Sequence, residues 1–249
     1  MLILLTNDDG IHSEGLLSLR ERLSRGHQVY VVAPEKERTC IGHAITLHKP
    51  LRIKELEKNL YASNGTPADC VLLGLEILIP GRPDLIISGI NKGPNMGQDV
   101  NYSGTVAAAK EAALSGIASI AVSIAARDNL LFHDAIEVTL KLLEPLCGID
   151  TPSDIFFNIN IPNIPIFDIK GFMVTRLGKR IYNNTVFERV DPRGGRYYWI
   201  AGDDKAYIPE EGTDLHAVDE GYVSITPMGL DMTKRELIEK YQKYLRRCV

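Results

Sequence analysis

The sequence of 249 residues predicts an α/β protein with a doubly wound, mostly parallel sheet. Continuous apolar runs alternate with helical patterns through the first half of the chain, as expected of strands buried on both faces between helices. The first strand, the first helix and the second strand are complete within about 34 residues, the span of a βαβ unit. A third observation places the chemistry. The opening run Met1-Leu2-Ile3-Leu4-Leu5 stops on Asn7-Asp8-Asp9-Gly10, and in open α/β sheets ligands bind beyond the carboxyl ends of the strands.

After this first strand, Ser13 is placed to cap a helix that has Glu14 in its first turn. Leu16, Leu19 and Leu23 recur at helical spacing, and Gly26 closes the helix. Val29-Tyr30-Val31-Val32-Ala33 is the second strand, ended by Pro34. Residues 35–43 read as a loop and residues 44–64 as irregular strand. Gly65-Thr66-Pro67-Ala68-Asp69 opens a helix that runs through Leu75. Leu85-Ile86-Ile87 is a third buried strand, leading into a long polar, glycine-rich loop over residues 88–97. Residues 105–115 form an alanine-rich helix, 117–124 a strand, 134–146 a helix and 155–161 a strand.

From about Phe167 the texture changes. Residues 173–176, 196–200 and 222–226 are short β-like runs between polar stretches. Residues 234–247 are an amphipathic helix carrying Leu237, Ile238, Tyr241 and Leu245. Such arms rarely bury themselves alone and predict a partner surface, most simply another copy of the chain. The expected division is a catalytic core over residues 1–166 and an extension over 167–249.

Composition narrows the function. Hydrophobic content of 45% and charged content of 24% are those of an ordinary globular protein. A net charge of −4 argues against binding a nucleic-acid polymer. Cys40, Cys70, Cys147 and Cys248 form no CxxC pair, which argues against a zinc cluster. The apolar start lacks a signal-peptide pattern and is too short to span a bilayer, so a cytoplasmic enzyme without a membrane partner is expected.

Asp8 and Asp9 repel each other unless a divalent cation relieves them. Taken alone, the pair also reads as a helix cap beside an exposed acid. The loops after the other strands favour the cation. Thr39 follows the second strand with a neutral hydroxyl oxygen suited to Mg²⁺ or Mn²⁺, and His43 follows as a donor to phosphate or a proton carrier. The third strand delivers Asn91, another hard neutral oxygen. Lys92 and Asn95 follow as groups that neutralise phosphate, among glycines that free the backbone for close approach. Ser103-Gly104-Thr105 opens the alanine-rich helix, where hydroxyls, N–H groups and the helix dipole favour an anion. Together these residues predict a metal-dependent phosphate site. The chain carries no GxxxxGK[ST], no GxGxxG or Asp-x-Asp at the first strand and no GxSxG, which disfavours the commoner phosphate and hydrolase motifs.

Several of these runs, in order, are those of a known family. They are Leu4-Leu5-Thr6-Asn7-Asp8-Asp9-Gly10, Val32-Ala33-Pro34, Gly65-Thr66-Pro67-Ala68-Asp69-Cys70 and Ser88-Gly89-Ile90-Asn91-x-Gly93-Pro94-Asn95-x-Gly97. Tyr102-Ser103-Gly104-Thr105-Val106-Ala107-Ala108-Ala109, Asn158-Ile159-Asn160-Ile161-Pro162, Thr175-Arg176-x-Gly178 and Gly221-Tyr222-Val223-Ser224-Ile225-Thr226-Pro227 follow. Over essentially its whole length the chain resembles the SurE (survival protein E) nucleotidases. The resemblance implies a Rossmann-like three-layer core and a C-terminal β-hairpin and helix extension exchanged between subunits of a homodimer or homotetramer. It implies a phosphomonoesterase acting on nucleoside 5′-monophosphates, and on 3′-monophosphates as a further expectation. It also implies one divalent ion per subunit, Mg²⁺ or Mn²⁺, held by Asp8, Asp9, Thr39 and Asn91. Thr39 departs from the family's usual serine; it keeps the oxygen and adds a methyl group. Asp8 and Asp9 are the expected catalytic pair, as ligand, base or nucleophile. Asn95, Ser103, Gly104, Thr105, Lys92 and His43 are the expected phosphate contacts. The rival reading is a non-catalytic nucleotide-binding regulatory module built on the same groups.

Overall fold

In a computed structural model of the chain, the described residues are 1–148, 152, 154–181, 185–201 and 207–246. The strands are β1 (Leu2–Thr6), β2 (Gln28–Pro34), β3 (Ile53–Glu57), β4 (Leu60–Ser63), β5 (Leu85–Lys92), β6 (Ser119–Ile124), β7 (Ile155–Ile161), β8 (Phe172–Val174), β9 (Thr185–Val190), β10 (Arg196–Ala201) and β11 (Val223–Gly229). The helices are α1 (Glu14–Leu23), α2 (Pro67–Leu73), α3 (Gly104–Leu114), α4 (Phe132–Gly148), α5 (Asp214–Asp219) and α6 (Arg235–Leu245).

One sheet dominates, in the order β3-β4-β2-β1-β5-β6-β7-β11-β8. From β4 to β7 every neighbouring pair is parallel, and the antiparallel pairs β3–β4 and β7–β11 lie toward its two sides. Alternate residues of each central strand face opposite layers. Ile3, Leu5, Val31 and Ile87 pack with Leu16, Leu19 and Leu23 of α1 and with Ile136 and Leu143 of α4. Leu4, Val32 and Ile86 pack on the other face with Cys70 and Val71 of α2 and Ala108 and Ala112 of α3. This is the three-layer α/β core, with the sheet mostly parallel.

Local chemistry sets the helix starts. Thr66 and Asp69 form a reciprocal capping box on α2, with Pro67 at the first helical position. Ser103 caps α3 by accepting the Val106 N–H at 3.0 Å. Ser13 precedes α1 but makes no side-chain cap. Its hydroxyl instead accepts the Asn7 amide at 2.6 Å, which ties the end of β1 to the helix that follows.

The C-terminal part differs from its sequence pattern. Residues 222–226 read as part of an arm, yet β11 enters the main sheet between β7 and β8. Its apolar residues Val223 and Ile225 alternate with Ser224 and Thr226, and they fit the core face left open beside β7. The sheet therefore takes strands from both sides of residue 166. The remaining arm is the antiparallel hairpin β9–β10, which makes its own two-stranded sheet, and α6, in which no residue is buried. Trp199 is 64% exposed and Ile200 83%; Ile238, Tyr241, Tyr244 and Leu245 of α6 are more than half exposed. The side chain of Cys147, residue Arg247 at the predicted end of the last helix, and Cys248 lie outside the described residues. Among the described residues no helix is long and apolar enough to cross a membrane.

Gly15 sets the distance between α1 and the sheet. A Cβ there would stand 2.3 Å from the Ile90 carbonyl oxygen and 2.8 Å from the Phe132 ring. Gly15→Ala therefore forces the helix off β5. The expected loss is about 1–3 kcal/mol, the usual cost of overpacking, read as a lower urea midpoint with an unchanged m-value.

Candidate functional site

Strand order reverses between β1 and β5: β2 and β4 extend the sheet on one side of this pair, and β6 and β7 on the other. That is the topological switch point of an open α/β sheet, where a crevice forms beyond the strand ends. A cavity of about 350 Å³ opens there. It is lined by Asp8 and Asp9 after β1, by Glu37, Thr39 and Cys40 after β2, and by residues from Asn91 to Asn95 at the end of β5. Asp99, Tyr102, Ser103 and Arg127 complete the wall.

Asp8 is 7% exposed. Burial raises its pKa to about 6, the Thr105 hydroxyl bond pulls it down, and the charge of Asp9 pushes it up again. The Thr105 hydroxyl donates to Asp8 Oδ1. The first turn of α3 comes this close because residue 104 is glycine: a Cβ there would lie 2.8 Å from Asp8 Oδ2. Asp9 is less enclosed; burial also raises its pKa, and the Lys92 N–H, donating to Oδ2 at 3.0 Å, lowers it.

Asn91 reaches the cavity through a break in register. Ser88 pairs with Ala121 and Asn91 with Ser123, so β5 spends three steps against two of β6. Bulges of this kind re-aim a side chain. The amide nitrogen of Asn91 donates to the Gly93 carbonyl at 2.8 Å, which leaves the lone pairs of Oδ1 to face a cation or a hydrogen-bond donor. Gly89, within this irregular stretch of β5, and Gly93 and Gly97 in the loop beyond it have φ values of +142°, +108° and +55°, the left-handed freedom expected of them.

Asn95 lines the cavity but is held from behind. Its Nδ2 donates to Ser123 Oγ at 2.8 Å, and its N–H donates to Asn160 Oδ1 at 2.9 Å. Its carbonyl accepts both Asn158 and Asn160 amides, at 2.8 and 3.0 Å. Asn158 and Asn160 are not among the site residues that the sequence predicts. Their Asn-x-Asn spacing in a strand, which puts both amides on one face, was the available signal. Asp214 holds the same loop from the C-terminal side, accepting the Gly97, Gly178 and Leu215 N–H groups.

The loop after β2 is fastened at several points. The Arg38 N–H donates to the Asp8 carbonyl at 2.7 Å and the Gly42 N–H to the Tyr102 carbonyl at 2.9 Å. Thr46 is held by Asp69 through its N–H and hydroxyl. Within this loop the Thr39 hydroxyl donates to the Glu37 carboxylate. His43 does not reach the cavity. It pairs with Glu111 at 2.7 Å and lines a separate hollow beside Lys110 and Phe156. Gly104 and the fully buried Thr105 likewise do not line the cavity; they stand behind Asp8. Of the expected phosphate contacts, Lys92, Asn95 and Ser103 line it. Glu37, Asp99, Tyr102 and Arg127 were not expected; each sits on a loop whose path only the fold reveals.

The donor set suits a hard divalent cation. Asp8 and Asp9 offer carboxylate oxygens, Asn91 an amide oxygen, and Thr39 a hydroxyl oxygen whose proton is given to Glu37. Among the described residues no three His, Cys, Asp or Glu side chains come together to hold a metal. Completed by the two neutral oxygens, the carboxylate pair would be an all-oxygen set of the kind Mg²⁺ and Mn²⁺ accept.

The family model described as "Survival protein SurE" matches residues 3–184. The chain belongs to the SurE family. Among curated SurE relatives, the 5′-nucleotidase SurE of Pelobacter propionicus is 47% identical over 234 residues, covering 94% of this chain and 95% of that one. The 5′-nucleotidase SurE of Aquifex aeolicus is 43% identical over 244 residues, 97% of each. The crystal structure of the SurE protein from Aquifex aeolicus superposes with a TM-score of 0.89 at 43% identity, over 99% of this chain and 100% of that one. The SurE fold thus accounts for nearly the whole chain, the added strand β11 included.

A buried carboxylate with a raised pKa weakens the metal-free fold above that pKa, because the unfolded chain ionises at lower cost. The penalty is full above pH 6, shrinks as the pH falls toward 4, and is absent below the ordinary carboxylate value. Asp8→Asn is therefore expected to stabilise the EDTA-treated protein at pH 7.5 by about 1–3 kcal/mol, and to give little or no gain at pH 4. Chemical denaturation at the two pH values checks this.

Proposed function

We propose that this chain is a divalent-metal-dependent phosphomonoesterase that hydrolyses nucleoside 5′-monophosphates. The observation that carries the reading is the meeting of Asp8, Asp9, Thr39 and Asn91 in one cavity at the switch point of the sheet, in a family whose curated relatives are named 5′-nucleotidases. Asp8, Asp9, Thr39 and Asn91 would hold the divalent cation, which when bound would supply Lewis-acid polarisation of the phosphoryl group and neutralise its charge. Thr105 keeps the Asp8 carboxylate oriented. The Lys92 N–H fixes Asp9, so both acids are set before substrate arrives. Ser103 and the side chains of Lys92 and Arg127 are the donors on the cavity wall that can take the remaining phosphate oxygens. The Ser103 Oγ accepts from Val106, which leaves its proton for a substrate oxygen. Activity on 3′-monophosphates is part of the same proposal.

Phosphate release from 5′- and 3′-nucleoside monophosphates, with Mg²⁺, with Mn²⁺ and with EDTA, tests this. Release that needs either metal and stops with EDTA is expected, and Asp9→Asn should lower kcat at least about 100-fold in a protein with an unchanged circular dichroism spectrum. Nucleotide binding with no release in either metal would make the chain a regulatory binding module instead.

We also propose a homo-oligomer. The exposed aromatic and aliphatic side chains of β9–β10 and α6 form faces that one chain leaves uncovered. Light scattering at micromolar concentration should report two or four chains. A truncation before Arg235 should reduce that number, and a monomeric full chain would refute the assignment.

A further inference from the structure

Asp214, the first residue of α5, is fully buried and lies outside the cavity. Its Oδ1 accepts the Gly178 N–H at 2.7 Å and the Leu215 N–H at 2.9 Å, and its Oδ2 accepts the Gly97 N–H at 2.8 Å. Positions 97 and 178 have no room for a side chain. A Cβ on Gly97 would stand 2.8 Å from the Gly178 carbonyl oxygen, and one on Gly178 would stand 2.8 Å from Leu215 Cδ1 and 3.0 Å from Asp214 Oδ1. One carboxylate thus fastens backbone from two distant segments. Gly97 opens a short 3₁₀ helix, Gly97–Asn101, which carries Asp99 and leads into Tyr102. Both of these residues line the cavity, and the Tyr102 N–H donates to the Asp99 carbonyl at 3.0 Å. A second tie runs beside the first. The Arg180 N–H donates to Gln98 Oε1 at 2.8 Å, and the Arg180 guanidinium pairs with Asp99 Oδ2 at 2.8 Å. The groups suited to the cation are braced elsewhere: Asp8 by Thr105, Asp9 by the Lys92 N–H, Thr39 by Glu37 and Asn91 by Gly93.

Resting on the nucleotidase reading, we propose that Asp214, seconded by the tie between Gln98 and Arg180, is a positioning residue: it sets the Asp99–Tyr102 wall of the cavity and so governs how tightly substrate binds, not the step that releases phosphate. The placing of the acceptors decides this. A carboxylate accepts on both oxygens, whereas an amide of the same shape accepts on one and donates from the other side. In Asp214→Asn the amide oxygen keeps the side where two N–H groups meet, those of Gly178 and Leu215. The amide nitrogen then faces the Gly97 N–H, donor against donor. The change therefore frees Gly97, the start of the wall, and spares the link to Gly178. The bond it breaks is buried and made to a charged group, the kind most costly to leave unmade. Asp99 and Tyr102 lose their fixed origin, while the four groups suited to the cation keep bonds that do not pass through Gly97. Losing contacts that substrate makes equally before and during reaction raises KM and leaves kcat in place.

Measurements on the full chain test the proposal. Asp214→Asn should raise KM for AMP with Mn²⁺ about tenfold and keep kcat within about threefold. Its Mn²⁺ affinity, titrated by calorimetry without nucleotide, should stay within about twofold of wild type, because the two sites share no partner. Amide hydrogen exchange over residues 97–102 should quicken at least about tenfold, with β1 and β5 unchanged. Gln98→Ala, which removes only the second tie from a half-buried side chain, should raise KM about two- to threefold in the same direction. An unchanged AMP KM in folded Asp214→Asn, even with a lower urea midpoint, would overturn the proposal, since Asp214 would then serve the fold alone. So would unchanged exchange over residues 97–102, or a Mn²⁺ affinity that falls together with kcat. If Asp214→Asn does not fold, Gln98→Ala decides: a raised KM with kcat kept upholds the wall's dependence on the C-terminal part, and an unchanged KM rejects it. Should wild type release no phosphate, the nucleotidase reading fails, and AMP titration in Mn²⁺ takes the place of KM: weaker binding by Asp214→Asn upholds the positioning role, and equal binding, or none by wild type, rejects it.

Discussion

Asp8 is a carboxylate held almost out of water, and three parts of the site are built on it. Removing a charge from water costs several kcal/mol unless nearby groups compensate. Here the compensation comes from the first turn of α3, through the Thr105 hydroxyl, and it requires a glycine at position 104. The backbone of the same aspartate accepts the Arg38 N–H, so the loop that carries Thr39 is fastened to the residue whose side chain faces the cavity. The end of β1, the start of α3 and the loop after β2 are thus fixed relative to one another by one residue. Such prior ordering is what a site needs if binding a cation is not to cost the conformational freedom of its ligands.

How far this was legible in the sequence differs residue by residue. The parallel core was readable because its strands are continuous apolar runs and its helices have apolar residues at helical spacing. Asp8, Asp9 and Asn91 were readable as strand-end residues, since a strand end in such a sheet is also a cavity edge. Thr105 was legible only in kind. A Ser-Gly-Thr turn at a helix start does satisfy an anion, but the anion is the Asp8 side chain. His43 followed the same logic and met a competing partner, Glu111 of α3, which lies 68 residues away in the chain. Glu37, Asp99, Tyr102 and Arg127 carry no local pattern. They line the cavity because connections from three places in the chain happen to pass there, and periodicity says nothing about the path of a loop.

The C-terminal part shows the same division between pattern and context. Short β-like runs separated by polar stretches describe both a free hairpin and an added sheet strand. The alternation in β11 fits the open side of β7, whereas in β10 both faces carry large apolar groups left in solvent. Asp214 then joins this part to the site by holding Gly97 and Gly178 together. Burial pushes its carboxyl up, and its backbone N–H donors pull it back toward the charged form. The C-terminal part therefore supports the glycine-rich loop without lining the cavity.

The place of β11 also orders events during synthesis. Every residue that lines the cavity at the switch point lies between positions 8 and 127, and β7, whose asparagines hold Asn95, ends at Ile161. The second partner of β7, β11, begins only at Val223. Chains grow at about 5–20 residues per second, so for several seconds a nascent chain carries a nearly complete site beside an unpaired, largely apolar strand edge. An edge in that state is a template for pairing with another chain. The interval before residue 229 emerges is thus when this protein is most exposed to aggregation, even though the groups that do its chemistry have already been made.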